Sequence, residues 1–126
     1  MKFSRYNRQE SLMTGERLAN KINELITRED FMGDRLLKDY MAKASMSIME
    51  NISNTFEKED IDELSRLLLF AKTSSSGVRT KLYVAFYQKY ITREEFNELM
   101  NLNQEVSKLI GGLMDDVESN ENAVKH

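Results

Sequence analysis

Histidine and cysteine, the residues that most often hold metals or act as strong nucleophiles, are nearly absent from this sequence. The only histidine is His126, the last residue, and cysteine does not occur. Helical bundles with di-iron or di-manganese centres use Glu-x-x-His motifs, and a haem site needs an interior histidine. The sequence has neither, so we expect no metal and no cofactor. Disulfides and thiolate sites are excluded by the missing cysteine.

Serine, glycine and paired acids give no other catalytic constellation. The serine run at 74–76 has no neighbouring base and no Gly-x-Ser-x-Gly elbow. Gly111 and Gly112 lie within an apolar helical pattern, so a phosphate-binding loop is not expected there. We therefore predict that the protein is not an enzyme. A metal-dependent bundle enzyme stays a third hypothesis, which stoichiometric iron or manganese would revive.

One block of the chain has a distinctive charge pattern. The net charge is −3, yet no Asp or Glu occurs between Leu64 and Arg93. This block contains six cations: Arg66, Lys72, Arg79, Lys81, Lys89 and Arg93. Such a block is typical of a solvated helix face or of a surface that binds nucleic acid or another anion. The first five cations are our candidates for neutralising phosphates of RNA or DNA.

The same block also places apolar and aromatic residues on an outward helix face. At 100° per residue, Leu69, Tyr83 and Tyr87 lie beside Lys72 and Arg79 and away from the core positions. These three are candidates for an oligomer interface. Stacking of a nucleic-acid strand is a second interpretation. The third is that long side chains simply cover a neighbouring loop.

Apolar residues recur at helical spacing in four stretches. The spacing predicts helices at about 9–26, 34–56, 60–88 and 93–118, with the clearest stripe running from Leu37 to Phe56. Capping boxes are predicted at Asp60 with Glu63 and at Thr92 with Glu95. Small residues at 74–77, in the middle of the third helix, indicate either close approach by a neighbouring helix or a local kink.

These helices predict an all-α fold. The 126 residues suffice for one domain, and the chain has no proline and only five glycines. Short connections force successive helices to run antiparallel, which gives an up-down-up-down four-helix bundle at 9–118. A flexible basic N-terminus at 1–8 and a flexible polar tail at 119–126 remain. No run of about 18 apolar residues occurs, so we expect no membrane span and a cytoplasmic protein.

Three segments resemble a known protein family. They are Ser-Ile-Met-Glu-Asn-Ile at 47–52 followed by Phe56, the leucine-rich 67–71 with Thr80 and Leu82, and Tyr-Ile-Thr-Arg-Glu-Glu-Phe at 90–96. They are similar to the four-helix-bundle proteins named after an intervening sequence in bacterial 23S ribosomal RNA. Relatives of that family include the accessory variability proteins of diversity-generating retroelements.

The resemblance implies a homopentamer and, for the retroelement branch, binding of nucleic acid and a reverse transcriptase. Our leading hypothesis is thus a non-enzymatic oligomeric interaction protein that serves such a retroelement as an accessory factor. The alternative is an oligomeric scaffold that contacts only proteins, encoded in or near a ribosomal RNA intervening sequence.

Overall fold

The computed structural model describes residues 3–125, without the side chains of Asp30, Met32 and residues 121–125. Within this range the chain forms four long helices, one short helix and no strand. They are α1 (Arg5–Ile26), α2 (Glu29–Met32), α3 (Arg35–Thr55), α4 (Ile61–Tyr87) and α5 (Arg93–Lys125). The predicted all-α class is confirmed. Lys2 and His126, which belong to the predicted flexible ends, lie outside the described residues.

The four long helices pack as a square in the order α1, α3, α4, α5, each against two neighbours. In every neighbouring pair, residues early in one helix contact residues late in the other. The contacts are Arg8–Phe56 and Gly15–Met49 between α1 and α3, Tyr40–Lys81 and Ser47–Ser74 between α3 and α4, Ser75–Asn103 and Tyr83–Phe96 between α4 and α5, and Asn7–Asp116 and Lys21–Glu98 between α1 and α5. This reversal confirms the predicted antiparallel up-down-up-down bundle.

The predicted apolar stripes form the core. In α3 the stripe from Leu37 to Ile52 is buried, and Phe56 packs half-buried against it. The inward face of α4 is equally closed to solvent: Leu64, Leu68, Ala71, Ser75, Val78, Leu82 and Ala85. Each buried leucine or isoleucine side chain stabilises the fold by about 1.5–3 kcal/mol, so these stripes dominate the stability.

Of the two predicted capping boxes, only one forms. Thr92 Oγ1 accepts from the Glu95 N–H at 3.1 Å, and the Glu95 carboxylate accepts from the Thr92 N–H at 2.8 Å. The Asp60 side chain accepts no capping hydrogen bond, so the prediction of a box at Asp60 and Glu63 is wrong. The Glu63 carboxylate instead lies 3.8 Å from Lys58 Nζ.

Helix extends further at both ends than the sequence pattern predicts. Ser4 Oγ accepts from the Asn7 N–H at 3.2 Å and caps α1, which therefore begins at Arg5. The Ser4 N–H and Asn7 Nδ2 both donate to Asp116 of α5, at 3.2 and 3.3 Å. At the other end α5 continues to Lys125. Residues 5–8 and 119–125 are thus helical, although the sequence assigns them to flexible ends.

Small residues in the middle of α4 allow close approach, as one of the two interpretations predicts. A Cβ added at Gly77 would lie 3.2 Å from Tyr40 Cζ, so the Tyr40 ring rests against the glycine backbone. Ser74 donates to Ser47 of α3 at 2.9 Å. On the opposite flank, Ser75 Oγ donates to Asn103 Oδ1 and Asn103 Nδ2 donates to the Ser75 carbonyl, both at 2.9 Å.

Candidate functional site

The candidate residues lie on α4, whose outward side is open because its inward side packs between α3 and α5. Arg66, Lys72 and Arg79 are all exposed. None of the three forms an ion pair with another described residue. The acid-free stretch therefore presents three exposed cations on α4, and the acids of this helix, Asp62 and Glu63, lie in its first turn.

Lys89 differs from these three because its backbone ends the helix. Its φ is 65°, in the left-handed region that favours glycine. The Lys89 N–H donates to the Phe86 carbonyl at 3.0 Å, and the Tyr90 N–H donates to the Ala85 carbonyl at 2.9 Å. This pair of hydrogen bonds is a Schellman motif, which here occurs without the usual glycine. Lys89 is exposed beyond the motif.

Lys81 lies on a different flank from Arg79. Its ammonium nitrogen is 4.8 Å from the centroid of the Tyr40 ring, so it faces α3 and is half-buried. Arg79 lines a groove beside α5. Two residues apart in sequence, these cations are separated by about 200° around the helix. The five predicted cations therefore do not form one stripe, and Arg66, Lys72 and Arg79 are the three left open on α4.

Between the two flanks runs a row of exposed, uncharged side chains. Its members are spaced by four, three, four, three and four residues: Leu69, Thr73, Ser76, Thr80, Tyr83 and Tyr87. We call this set the outer row. The spacing is that of the a and d positions of a coiled coil, which line one narrow helix face. Sequence inspection singled out Leu69, Tyr83 and Tyr87 but missed the repeat that links them.

The aromatic members of the outer row differ in how much they pack within the chain. Tyr87 is 75% exposed and Leu69 is 54% exposed, whereas Tyr83 is 38% exposed. The Tyr83 ring lies 5.2 Å from the Phe96 ring of α5. Tyr87 and Leu69 thus offer most of their surface outward. Phe70, at 51% exposure, adds a large side chain next to the row that the sequence analysis did not select.

A polar cluster at one end of the bundle also escaped the sequence analysis. Arg28 forms an ion pair with Glu95 and donates to the Tyr90 carbonyl at 3.1 Å. The Tyr90 hydroxyl donates to Asp34 at 3.1 Å. The cluster joins the α1–α2 connection to the starts of α3 and α5. Its residues come from separate connections, and the Thr92–Glu95 capping box is the only part with a sequence signal.

Two groups in this polar cluster have shifted pKa values. Burial by itself raises the pKa of Glu95, but the Thr92 N–H and the Arg28 guanidinium together hold that pKa below its ordinary value. Burial raises the pKa of Tyr90, and its hydrogen bond to Asp34 adds to the shift. The Glu95 carboxylate is therefore ionised near neutral pH and acts as a structural acceptor.

Among the side chains that the structure describes, no group of three or more His, Cys, Asp or Glu is placed to hold a metal ion. No helix in the described part of the chain has the length and apolar composition that a membrane span requires.

Comparison with known proteins agrees with the bundle geometry. The sequence pattern of the family described as 23S rRNA-intervening sequence protein matches residues 8–112. The chain belongs to this family. The match covers α3 and α4 and most of α1 and α5, so it includes the outer row and all five candidate cations. The predicted resemblance to the family is confirmed, whereas nothing in the match concerns a diversity-generating retroelement.

A solved structure shares the fold of this family member. It is a protein of unknown function from the S23 ribosomal protein family of Bacteroides thetaiotaomicron, which aligns with a TM-score of 0.72. The alignment covers 86% of this chain and 97% of the other, at 19% sequence identity. At that identity the likeness concerns the fold alone. Comparison with curated proteins gives no match.

Proposed function

We propose that this protein is a non-enzymatic, self-associating bundle that acts in the cytoplasm and binds single-stranded nucleic acid through the outward side of α4. The observation that carries the proposal is the set Arg66, Lys72 and Arg79, exposed on the acid-free stretch 64–93 without ion pairs to other described residues. Cations in such a setting attract phosphates and release counterions from the strand on binding. Stacking of bases on Tyr83 and Tyr87 is an alternative use of these side chains, which excludes their burial in an oligomer interface.

Self-association rests on the outer row. An exposed helix face with coiled-coil spacing and three large side chains can bury those side chains against another copy of the chain. Arg79 and Lys81 lie on opposite sides of the outer row. Each subunit of an oligomer assembled through this row would therefore add its own cations to the surface of the assembly. Resemblance to the family supports five subunits.

Two roles are compatible with this surface, and they differ in the kind of partner that the protein contacts. Resemblance to the accessory variability proteins supports a reverse transcriptase of a diversity-generating retroelement. The outer row supports an alternative, a scaffold that contacts only proteins. A neighbouring reverse-transcriptase gene with a variable repeat would favour the first, and a gene located within a ribosomal RNA gene would favour the second.

Fluorescence anisotropy with labelled single-stranded RNA and DNA tests nucleic-acid binding. We expect binding at low salt that weakens as salt rises, with each phosphate contact adding about −0.7 to the slope of log K against log salt. The double variant R66Q/K72Q should weaken binding and flatten the slope. The control R17Q/R35Q removes the same charge from exposed positions on α1 and α3, and should leave the slope unchanged.

Two results would contradict the proposal. One is affinity that stays undetectable at low salt. The other is an equal loss in both double variants, since that would mean that net charge rather than the α4 surface controls binding. Binding to DNA and RNA with equal strength would agree with recognition through phosphates and base faces.

A further inference from the structure

The groove between α4 and α5 is lined by one cation and by uncharged polar side chains. It has a volume of about 350 Å³, within the range of small-molecule sites, and no carboxylate lines it. The residues that face it are Ser76, Arg79, Met100, Asn101, Gln104 and Ser107, above a floor made by Ser75 and Asn103. By contrast, the groove beside Lys21 contains three carboxylates, two of which pair with its cations.

The two polar side chains at the floor of this groove bond each other, whereas the polar side chains on its walls are available to a ligand. Ser75 and Asn103 are buried and satisfy each other through two hydrogen bonds of 2.9 Å. Arg79 stands on one wall, exposed and without an ion pair to a described residue. A guanidinium in a groove without acids suits a phosphate, which it can bind through two parallel hydrogen bonds.

The opposite wall has the chemistry that recognises a base. Asn101 and Gln104 are three residues apart on α5, so their exposed carboxamides lie near each other. Carboxamides offer one donor and one acceptor group side by side, as base edges do. Met100, half-buried between these residues and α4, gives a polarisable apolar surface on which a base can lie.

We infer that this groove binds one nucleotide unit, with the phosphate on Arg79 and the base against Met100 and the carboxamides of Asn101 and Gln104. The hydroxyl of Ser107, which also lines the groove, can bond the sugar or the phosphate. This inference rests on the proposed function. It adds one site on the α4 surface that recognises the base as well as the phosphate charge. The unit is either a free mononucleotide or one nucleotide of a bound strand.

Calorimetric titration of the full chain with the four 5′-monophosphates, adenosine and inorganic phosphate tests the site. We expect saturable binding of at least one monophosphate, and at least about tenfold weaker binding of adenosine and of phosphate. R79Q should weaken monophosphate binding about tenfold and leave adenosine binding unchanged, since a charged hydrogen bond is lost. Q104L should weaken the binding of both the monophosphate and adenosine. R17Q removes an exposed arginine from α1, outside the groove, and should change neither.

Circular dichroism verifies that each variant folds. R79K keeps the charge but removes the forked geometry of the guanidinium, so it should show an intermediate loss of monophosphate binding. The inference is overturned if no monophosphate binds at millimolar concentration, or if R79Q binds as well as the parent. Single-stranded oligonucleotides separate the two proposals. If they bind while monophosphates do not, only the groove is wrong; if monophosphates bind and strands bind no better, strand binding is wrong.

Discussion

Asn103 of α5 and Ser75 of α4 are both buried and satisfy each other through two hydrogen bonds. Replacing Asn103 by leucine keeps the volume similar but leaves the Ser75 hydroxyl without its acceptor. We expect N103L to lower the free energy of unfolding by about 1–3 kcal/mol, the cost of an unsatisfied buried polar group. Urea denaturation measures this loss. The double variant S75A/N103L should recover much of it, and a double variant as unstable as N103L would contradict the explanation.

Lys89 occupies a backbone position that costs energy for any residue with a Cβ. A glycine in its place relieves the left-handed conformation, so K89G should raise the free energy of unfolding by about 1 kcal/mol. The matched control is Lys89→Ala, which removes the same charge and keeps the Cβ. Thermal denaturation should show a gain for glycine only. Equal stability of the two variants would mean that the charge, and not the backbone, sets the effect.

Glu95 should make the stability depend on pH in acid. Because its pKa is lower in the folded chain, its contribution is complete above the unfolded-state value near 4.5 and is lost as the pH falls through the folded value. E95Q retains an acceptor for the Thr92 N–H but loses the charge facing Arg28. We expect E95Q to be less stable than the parent at pH 7 by about 1 kcal/mol or less.

The stability difference between the parent and E95Q should shrink as the pH falls and vanish once Glu95 is protonated in both states. Urea denaturation at a series of pH values measures it. E94Q, which changes an exposed acid in the same helical turn, should show a smaller difference at pH 7. A difference that stays constant down to low pH would show that Glu95 acts only as a cap.

The outer row should control the oligomeric state of the protein in solution. Y83E/Y87E places two charges in the row, and light scattering should then report a single subunit of 14.7 kDa in place of an oligomer. The control Y6E/L36E adds the same charges at positions that are 67% and 85% exposed on α1 and α3. An oligomer that survives in Y83E/Y87E, or dissociates in both variants, would remove the outer row as the interface.

Most of the fold follows from the sequence because burial imposes periodicity. The α3 stripe from Leu37 to Ile52 is regular enough to place that helix within a residue or two. The start of α1 is harder to predict, since residues 5–8 have no apolar repeat and depend on Ser4 and Asn7 meeting Asp116. Such a contact between ends 112 residues apart leaves no local pattern.

The surface is less predictable than the core. Sequence places the cations on α4, but only the packed bundle shows that Lys81 turns toward Tyr40 while Arg79 faces α5. The groove combines side chains of two helices, so no single segment contains its pattern. Arg28 is similar: its partners Glu95 and Tyr90 come from a distant connection, and nothing near Arg28 in sequence indicates them.

The contact of Ser4 and Asn7 with Asp116 has a consequence for folding kinetics. Neighbouring helices in this bundle are mostly successive in sequence, so their pairing is local and fast. The square closes only when α1 meets α5, and that step joins residues more than 100 positions apart. During synthesis one side of α1 must therefore stay uncovered until the last helix has emerged. We predict that closure of this pair limits the rate of folding, so Asp116→Asn should slow refolding by about as much as it lowers the stability and leave the unfolding rate nearly unchanged.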